Sequence, residues 1–134
     1  MSTLTYPPGF KRLQGGGDAI DVLFKSANYT VTREDSGKLI VATAANLVIS
    51  LPATEPGLYY RFALAAAGLS AGTGLGISPV TLDKIMGNGF TSLDNKDAQL
   101  PGASDREGDF LEVTADGVDG WYITGVTGTW TREA

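Results

Sequence analysis

The chain has 134 residues, a formal net charge of -5 and neither histidine nor cysteine. Without cysteine there are no disulfides or zinc-thiolate sites, and without histidine the commonest general base is missing. The acidic balance, with scattered basic residues, disfavours nucleic acid as a partner, and no apolar run approaches the roughly 20 residues that span a membrane.

The composition predicts one soluble, all-β domain. Hydrophobic residues make up 43% of the chain, which excludes a wholly disordered protein. The 18 glycines are about twice the usual share. They follow no collagen-like period, so they are expected at turns and corners of a β architecture.

Residues 1–17 predict an extended arm. Two prolines and a glycine triplet surround a basic pair, a composition that resists both helix and sheet. The alternative is a disordered tail. The segment has no apolar secretory region, so we expect a protein made in a cytoplasm. Residues 18–27 are compatible with either a short helical turn or a strand, and we place the arm and this connecting segment at 1–27 and a β-rich body at 28–134.

From Asn28 onward, short apolar runs alternate with turn residues every eight to twelve positions. This spacing predicts a small sandwich or a jelly-roll-like module. Residues 38–44 and 46–52 are predicted to form a hairpin. Residues 57–64 (GLYYRFAL) predict a strand with Leu58, Tyr60 and Phe62 on one face; a helix over 61–69 is the alternative.

The glycine-rich stretch 68–76 lacks the spacing of a nucleotide-binding loop. Gly72, Gly74 and Gly76 run into Ile77-Ser78-Pro79, with no following lysine and no helix. We therefore predict a surface loop, followed by a strand at 75–78 and an Asn88-Gly89 turn of the type I′ kind.

The acidic stretch 91–109 predicts a solvated loop. Asp94, Asn95 and Asp97 lack the glycine and glutamate of a calcium-binding EF-hand loop, so no metal is expected. Carboxylate pairs suffice for glycoside hydrolysis, which keeps a small glycosidase or lyase as a remote alternative. The candidate pairs, Asp105 with Asp109 and Asp116 with Asp119, lie in turns, where aspartate ordinarily bonds its own backbone. We expect no enzymatic activity and no cofactor.

Alternating strands close the chain and hold both tryptophans. The side chains of residues 110–115 are predicted to alternate between the two faces of a strand. A tight turn is predicted at Asp116-Gly117, and Trp121 and Ile123 are expected on one face of the next strand. Residues 127–133 are predicted to be hairpin-like. Tyr59, Trp121 and Trp130 are expected either in the core or at a subunit interface.

The order of these elements resembles tailed-bacteriophage structural proteins, namely small capsid decoration or head-fibre proteins and β-rich tail-fibre modules. The resemblance covers roughly residues 28–132. Its recurring elements are Asp35-Ser36-Gly37, Leu51-Pro52, Ile77-Ser78-Pro79 before Asp83 and Gly87, Gly108-Asp109, and Gly120-Trp121 ahead of Gly128-Thr129-Trp130.

This resemblance implies an all-β knob, frequently trimeric, that attaches to the virion. The resulting expectation is a capsid decoration (cement) protein on the capsid surface, bound to the major capsid protein and stabilising the head. We expect the arm to contribute to capsid binding through Tyr6, Pro7, Pro8, Phe10, Lys11 and Arg12.

The alternative function is a tail-fibre or head-fibre module that binds host-surface glycans. Aromatic side chains on a β surface can stack against sugar rings. The candidates are Tyr59, Tyr122 and Trp121, together with the loop from Asp94 to Asp109.

Overall fold

The structure is a computed structural model that describes residues 19–44, 46–65, 73–90, 93–102 and 104–134. The predicted arm residues, Tyr6 to Arg12, lie outside these ranges. The described residues form a short 3-10 helix (Arg33–Asp35) and strands β1 (Val22–Lys25), β2 (Tyr29–Thr30), β3 (Leu39–Ala42), β4 (Leu47–Ser50), β5 (Tyr59–Leu64), β6 (Thr73–Ser78), β7 (Lys84–Met86), β8 (Ala98–Pro101), β9 (Phe110–Ala115), β10 (Gly120–Thr127) and β11 (Thr131–Arg132).

The strands form two sheets that enclose one apolar core. Sheet I has the order β1-β3-β5-β9-β10-β7, and sheet II has the order β11-β8-β6-β4-β2. Buried side chains from both sheets belong to a single cluster. The predicted all-β sandwich is therefore confirmed.

The first six strands wind between the sheets. Strands β1, β3 and β5 lie parallel in sheet I, while β2, β4 and β6 lie parallel in sheet II. Each pass of the chain thus adds one strand to each sheet. A jelly roll is built from antiparallel strands, so the parallel pairs distinguish this sandwich from the jelly-roll-like alternative.

The predicted hairpin of residues 38–44 with 46–52 is wrong. β3 lies in sheet I and β4 in sheet II, so the two strands are not hydrogen-bonded neighbours. Both strands bury alternate residues, Ile40 and Ala42 in β3 and Leu47 and Ile49 in β4. Crossing to the opposite sheet places these two apolar faces on either side of the same core.

The last strands pair antiparallel. β9 lies between β5 and β10, and the turn predicted at Asp116-Gly117 joins β9 to β10. β11 pairs with β8 in sheet II, not with β10. The hairpin-like structure predicted for 127–133 is therefore wrong, because the chain crosses between sheets after β10.

Three local predictions are resolved by these strands. Residues 18–27 were expected to form either a helical turn or a strand, and Val22–Lys25 form strand β1. This strand belongs to sheet I, although it precedes residue 28, where the β-rich body was predicted to begin. β5 is a strand through Leu64, as predicted, so residues 61–64 are not helical. In the glycine-rich stretch, residues 73–76 belong to β6, which corrects the predicted loop there.

Aromatic residues fill the centre of the core. The ring centroids of Tyr60 and Trp121 lie 5.6 Å apart, and Phe62 lies 6.4 Å from Tyr60. The Tyr60 hydroxyl donates a hydrogen bond to the Thr32 carbonyl oxygen at 2.7 Å. Burial raises the pKa of Tyr60 to about 12. Burying each such ring stabilises the fold by roughly 1.5–3 kcal/mol.

Gly120, at the start of β10, is required by close backbone contact. Its φ is +145°, and an added Cβ would overlap the backbone carbonyl of Lys84 in the neighbouring strand β7. Trp121 is the next residue, so the close contact between Gly120 and Lys84 sets where the largest core side chain enters the core.

We expect Gly120→Ala to lower the free energy of unfolding by about 3 kcal/mol or more, because β7 has to move away. Gly57→Ala is the matched control: Gly57 also has a positive φ, +88°, but open space around its Cβ position. It should cost about 1–2 kcal/mol through backbone strain alone. Urea unfolding of both variants measures the difference, and equal losses would contradict the overlap.

Candidate contact surface

The two tryptophans lie inside the single chain. Trp121 is 0% exposed and Trp130 is 4% exposed, and both belong to the core cluster. Trp130 Nε1 donates to the Thr127 carbonyl oxygen at 3.1 Å, at the crossing from sheet I to sheet II. Burial removes Trp121 from the candidate glycan-stacking residues. Tyr59 differs, because its side chain is exposed on sheet I.

Two of the four carboxylates considered for catalysis, those of Asp116 and Asp109, hold turns together. Asp116 Oδ1 accepts hydrogen bonds from the backbone N–H groups of Val118, Asp119 and Gly120 at 2.8–3.0 Å. These bonds, that from Gly120 first, hold the pKa of Asp116 below its ordinary value. Asp109 accepts from the backbone N–H of Arg106 at 2.8 Å.

Asp105 and Asp109 are buried, which corrects the prediction that their loop is solvated throughout. An added Cβ on Gly74 of β6 would overlap the Asp105 carboxylate, and one on Gly128 would overlap that of Asp109. The two carboxylates thus pack against different glycines, far apart in the chain. The sequence offered no sign of this, because burial of a turn aspartate depends on which segment passes over it.

Asp35 shows the same use of a carboxylate beside the 3-10 helix. Its Oδ2 accepts from the Tyr29 hydroxyl at 2.6 Å and from the Thr32 backbone N–H at 3.0 Å. Burial alone would raise the pKa of Asp35, but these bonds and Lys38 outweigh burial and lower it.

The outer face of sheet I carries an apolar half. Strand register places Phe24, Val41, Ala63 and Phe110 in one row across four strands. Val22 and Leu39 precede this row on β1 and β3. Phe24 is 69% exposed and Val22 is 42% exposed. We call these six side chains the apolar half of sheet I.

The rest of this face is polar and aromatic. Register places Thr114 between Tyr59 and Tyr122. Thr124 donates to Glu112 Oε1 at 2.8 Å, next to an irregularity in the β9–β10 pairing. Arg61, opposite Glu112, donates to the Gly37 carbonyl oxygen at 2.8 Å. This polar half has fixed side chains, whereas the apolar half offers an unfilled hydrophobic surface.

Sequence reasoning found the alternation of each strand but missed this combined surface. Phe24 and Phe110 are 86 positions apart, and they share a row only because β3 and β5 lie between their strands. The apolar run from Val22 to Phe24 is visible in the sequence, but it does not show which strands lie beside it.

No family model, curated protein or solved structure matches the chain. In the part of the chain that the structure describes, no three acidic, histidine or cysteine side chains are grouped to hold a metal ion. The same part contains no helix of the length and apolar character needed to cross a membrane.

The Asp116 turn makes a pH-dependent prediction. A folded-state pKa below the unfolded value gives stabilisation that is present above about pH 4 and is lost as the pH falls through the folded pKa. Asp116→Asn keeps an acceptor oxygen but removes the charge. We expect it to lower the free energy of unfolding at pH 7 by about 1 kcal/mol. This deficit should shrink towards zero under acid conditions.

Asp119→Asn is the control, since Asp119 lies exposed in the same turn and contributes its backbone rather than its side chain. Chemical unfolding of both variants between pH 7 and pH 3 measures the effect. A constant deficit for Asp116→Asn at every pH would refute the charge-based stabilisation.

Proposed function

We propose that this chain is a structural protein of a tailed bacteriophage, a capsid decoration protein that binds the outer surface of the major capsid lattice. The observation that carries the proposal is the apolar half of sheet I. Exposed Phe24 and Val22 lie beside partly exposed Leu39 and Val41 on adjacent strands. Contiguous apolar surface of this kind is typical of protein contact sites. The order of motifs over residues 28–132 supports a virion partner.

The proposed mechanism is mechanical. A rigid sandwich would lay its apolar half against a capsid subunit and remove these side chains from water, worth roughly 25 cal/mol per Å² of apolar area. Arm residues Tyr6 to Arg12 would reach a neighbouring subunit, so that one molecule bridges two. Linked contacts of this type strengthen each other through effective concentration. Bridged subunits would resist the outward pressure of packaged DNA.

Val41→Glu tests the role of the apolar half. It places a charge in the row between Phe24 and Ala63, and we expect it to reduce occupancy on heads purified without this protein at least tenfold. Val118→Glu is the control, since Val118 is 80% exposed in the turn between β9 and β10, away from the apolar half. Co-sedimentation with the heads measures occupancy.

Wild-type chain should saturate the heads in a fixed ratio to the capsid subunits. Absence of saturable binding would overturn the capsid proposal, and full binding by Val41→Glu would remove the apolar half from it. Deletion of residues 1–17 tests the arm separately, and undiminished occupancy would exclude the arm from the contact.

The polar half favours one second candidate, a fibre module that binds host-surface glycans. Tyr59 and Tyr122 are both exposed, and Thr114 lies between them in the row. Two rings flanking a hydroxyl form a surface on which sugar rings can stack and donate hydrogen bonds.

For this candidate, Tyr59→Ala with Tyr122→Ala should abolish binding to host cells while Val41→Glu leaves it intact. Flow cytometry with labelled protein measures the binding. The opposite pattern, with heads bound and cells ignored, would reject the glycan module.

A further inference from the structure

Within residues 19–44 and the other described ranges, strand β1 leaves one side of its backbone open. The carbonyl oxygens of Asp21 and Lys25 accept hydrogen bonds from β3 and the residue after it, from Leu39 N at 3.1 Å and Thr43 N at 2.9 Å. Successive residues of a strand direct their backbone groups to opposite sides. The N–H and C=O groups of Val22 and Phe24 therefore point away from β3, along the edge of sheet I, where β1 is the terminal strand.

Among the residues that the structure describes, this edge has little protection against strand pairing. Edge strands are commonly blunted by proline, a bulge or inward-pointing charge. β1 has the sequence VLFK, contains no proline and pairs with β3 in unbroken register. Its one charge is Lys25, which lies at the end of the strand on the same face as Leu23. The two residues with outward-facing backbone groups, Val22 and Phe24, also have exposed side chains.

The edge is complementary to itself. When two copies of β1 lie antiparallel and centred on Leu23, Val22 lies opposite the partner's Phe24. The same register puts Asp21 opposite the partner's Lys25, so opposite charges meet at both ends. Both members of each Val22–Phe24 pair direct their N–H and C=O groups across the junction, which is the hydrogen-bonded type of antiparallel pair.

We propose that β1 pairs antiparallel with β1 of a second copy, joining two copies of sheet I into one continuous sheet about a two-fold axis. A self-complementary patch is what a two-fold contact requires. The existing contacts of the charged residues are compatible with this pairing. Asp21 lies 3.9 Å from Lys38, and the Lys25 ammonium lies 3.8 Å from the Tyr29 ring centroid. The inference predicts a dimer where the phage resemblance implies a trimer, and it does not depend on capsid binding.

Charge exchange tests the register. Asp21→Lys puts two lysines opposite each other at each end of the junction, and Lys25→Asp puts two aspartates together, so each variant alone should weaken self-association at least tenfold. Mixing the two single variants removes this repulsion, because a copy with lysine at both positions 21 and 25 then meets a copy with aspartate at both.

In that mixed dimer, position 21 of the Asp21→Lys copy lies opposite position 25 of the Lys25→Asp copy, where a lysine meets an aspartate. At the other end, the unchanged Lys25 of the first copy meets the unchanged Asp21 of the second. Both ends therefore pair opposite charges, and association should be restored. The double variant, Asp21→Lys with Lys25→Asp, should restore the homodimer. Sedimentation velocity of the full chain over a concentration series measures the mass relative to the 14.0 kDa monomer.

A folding defect would not be rescued by mixing, so the mixed sample separates misfolding from lost complementarity. Glu107→Lys, which reverses an exposed charge in the loop before β9, is the control and should self-associate like wild type. Val22→Pro removes an edge-facing N–H that makes no bond to β3, and it should give a folded monomer.

Four results would overturn the proposal. These are a wild-type chain that stays monomeric at every concentration, a wild-type trimer, dimerisation that survives Val22→Pro, and single variants that fail to associate when mixed. Because the assay contains no capsid, its failure leaves the capsid proposal to the head-binding experiment.

Discussion

Strands β3, β4, β5, β8 and β9 bury alternate residues, and the two sheets hide these buried faces against each other. Tyr60 and Phe62 from β5 and Trp121 from β10 meet in the centre of that layer. Sheet II contributes the fully buried Ile49 and Leu75. The winding of the first six strands follows from this requirement, because each crossing adds apolar area to both sides of one core. The close approach of Gly120 to β7 then fixes where the Trp121 side chain enters the core.

Several acidic residues of this chain stabilise turns of the sandwich. Asp35, Asp109 and Asp116 each accept backbone N–H groups at a turn. A carboxylate satisfies several donors in a small space, which a neutral side chain does less well. These residues therefore stabilise the scaffold, and the lowered pKa values of Asp35 and Asp116 report that role.

The proposed contact surface lies where the core requirement no longer applies. On the outer face of sheet I, Phe24 and Val22 are exposed because no element of the described chain covers them. Their strand is also the edge of the sheet, so an apolar face and an open backbone edge adjoin in β1. The face is suited to a broad contact and the edge to a directional one. In the two proposals made above, the face would contact a capsid subunit and the edge would contact a second copy of the chain.

The sequence by itself determined the all-β class, the alternation of β5 and β9, the shared face of Tyr60 and Phe62, and the turn at Asp116-Gly117. These features depend on residues at most a few positions apart, so local periodicity and turn chemistry are sufficient to predict them. Only the tertiary structure decided that β3 and β4 belong to different sheets and that β11 returns to β8. It also decided that Trp121 and Trp130 are core residues and that Phe24 and Phe110 share a row. Strand partners far apart in the chain are chosen by competition for one core, and the periodicity of a single strand is the same whichever neighbour it acquires.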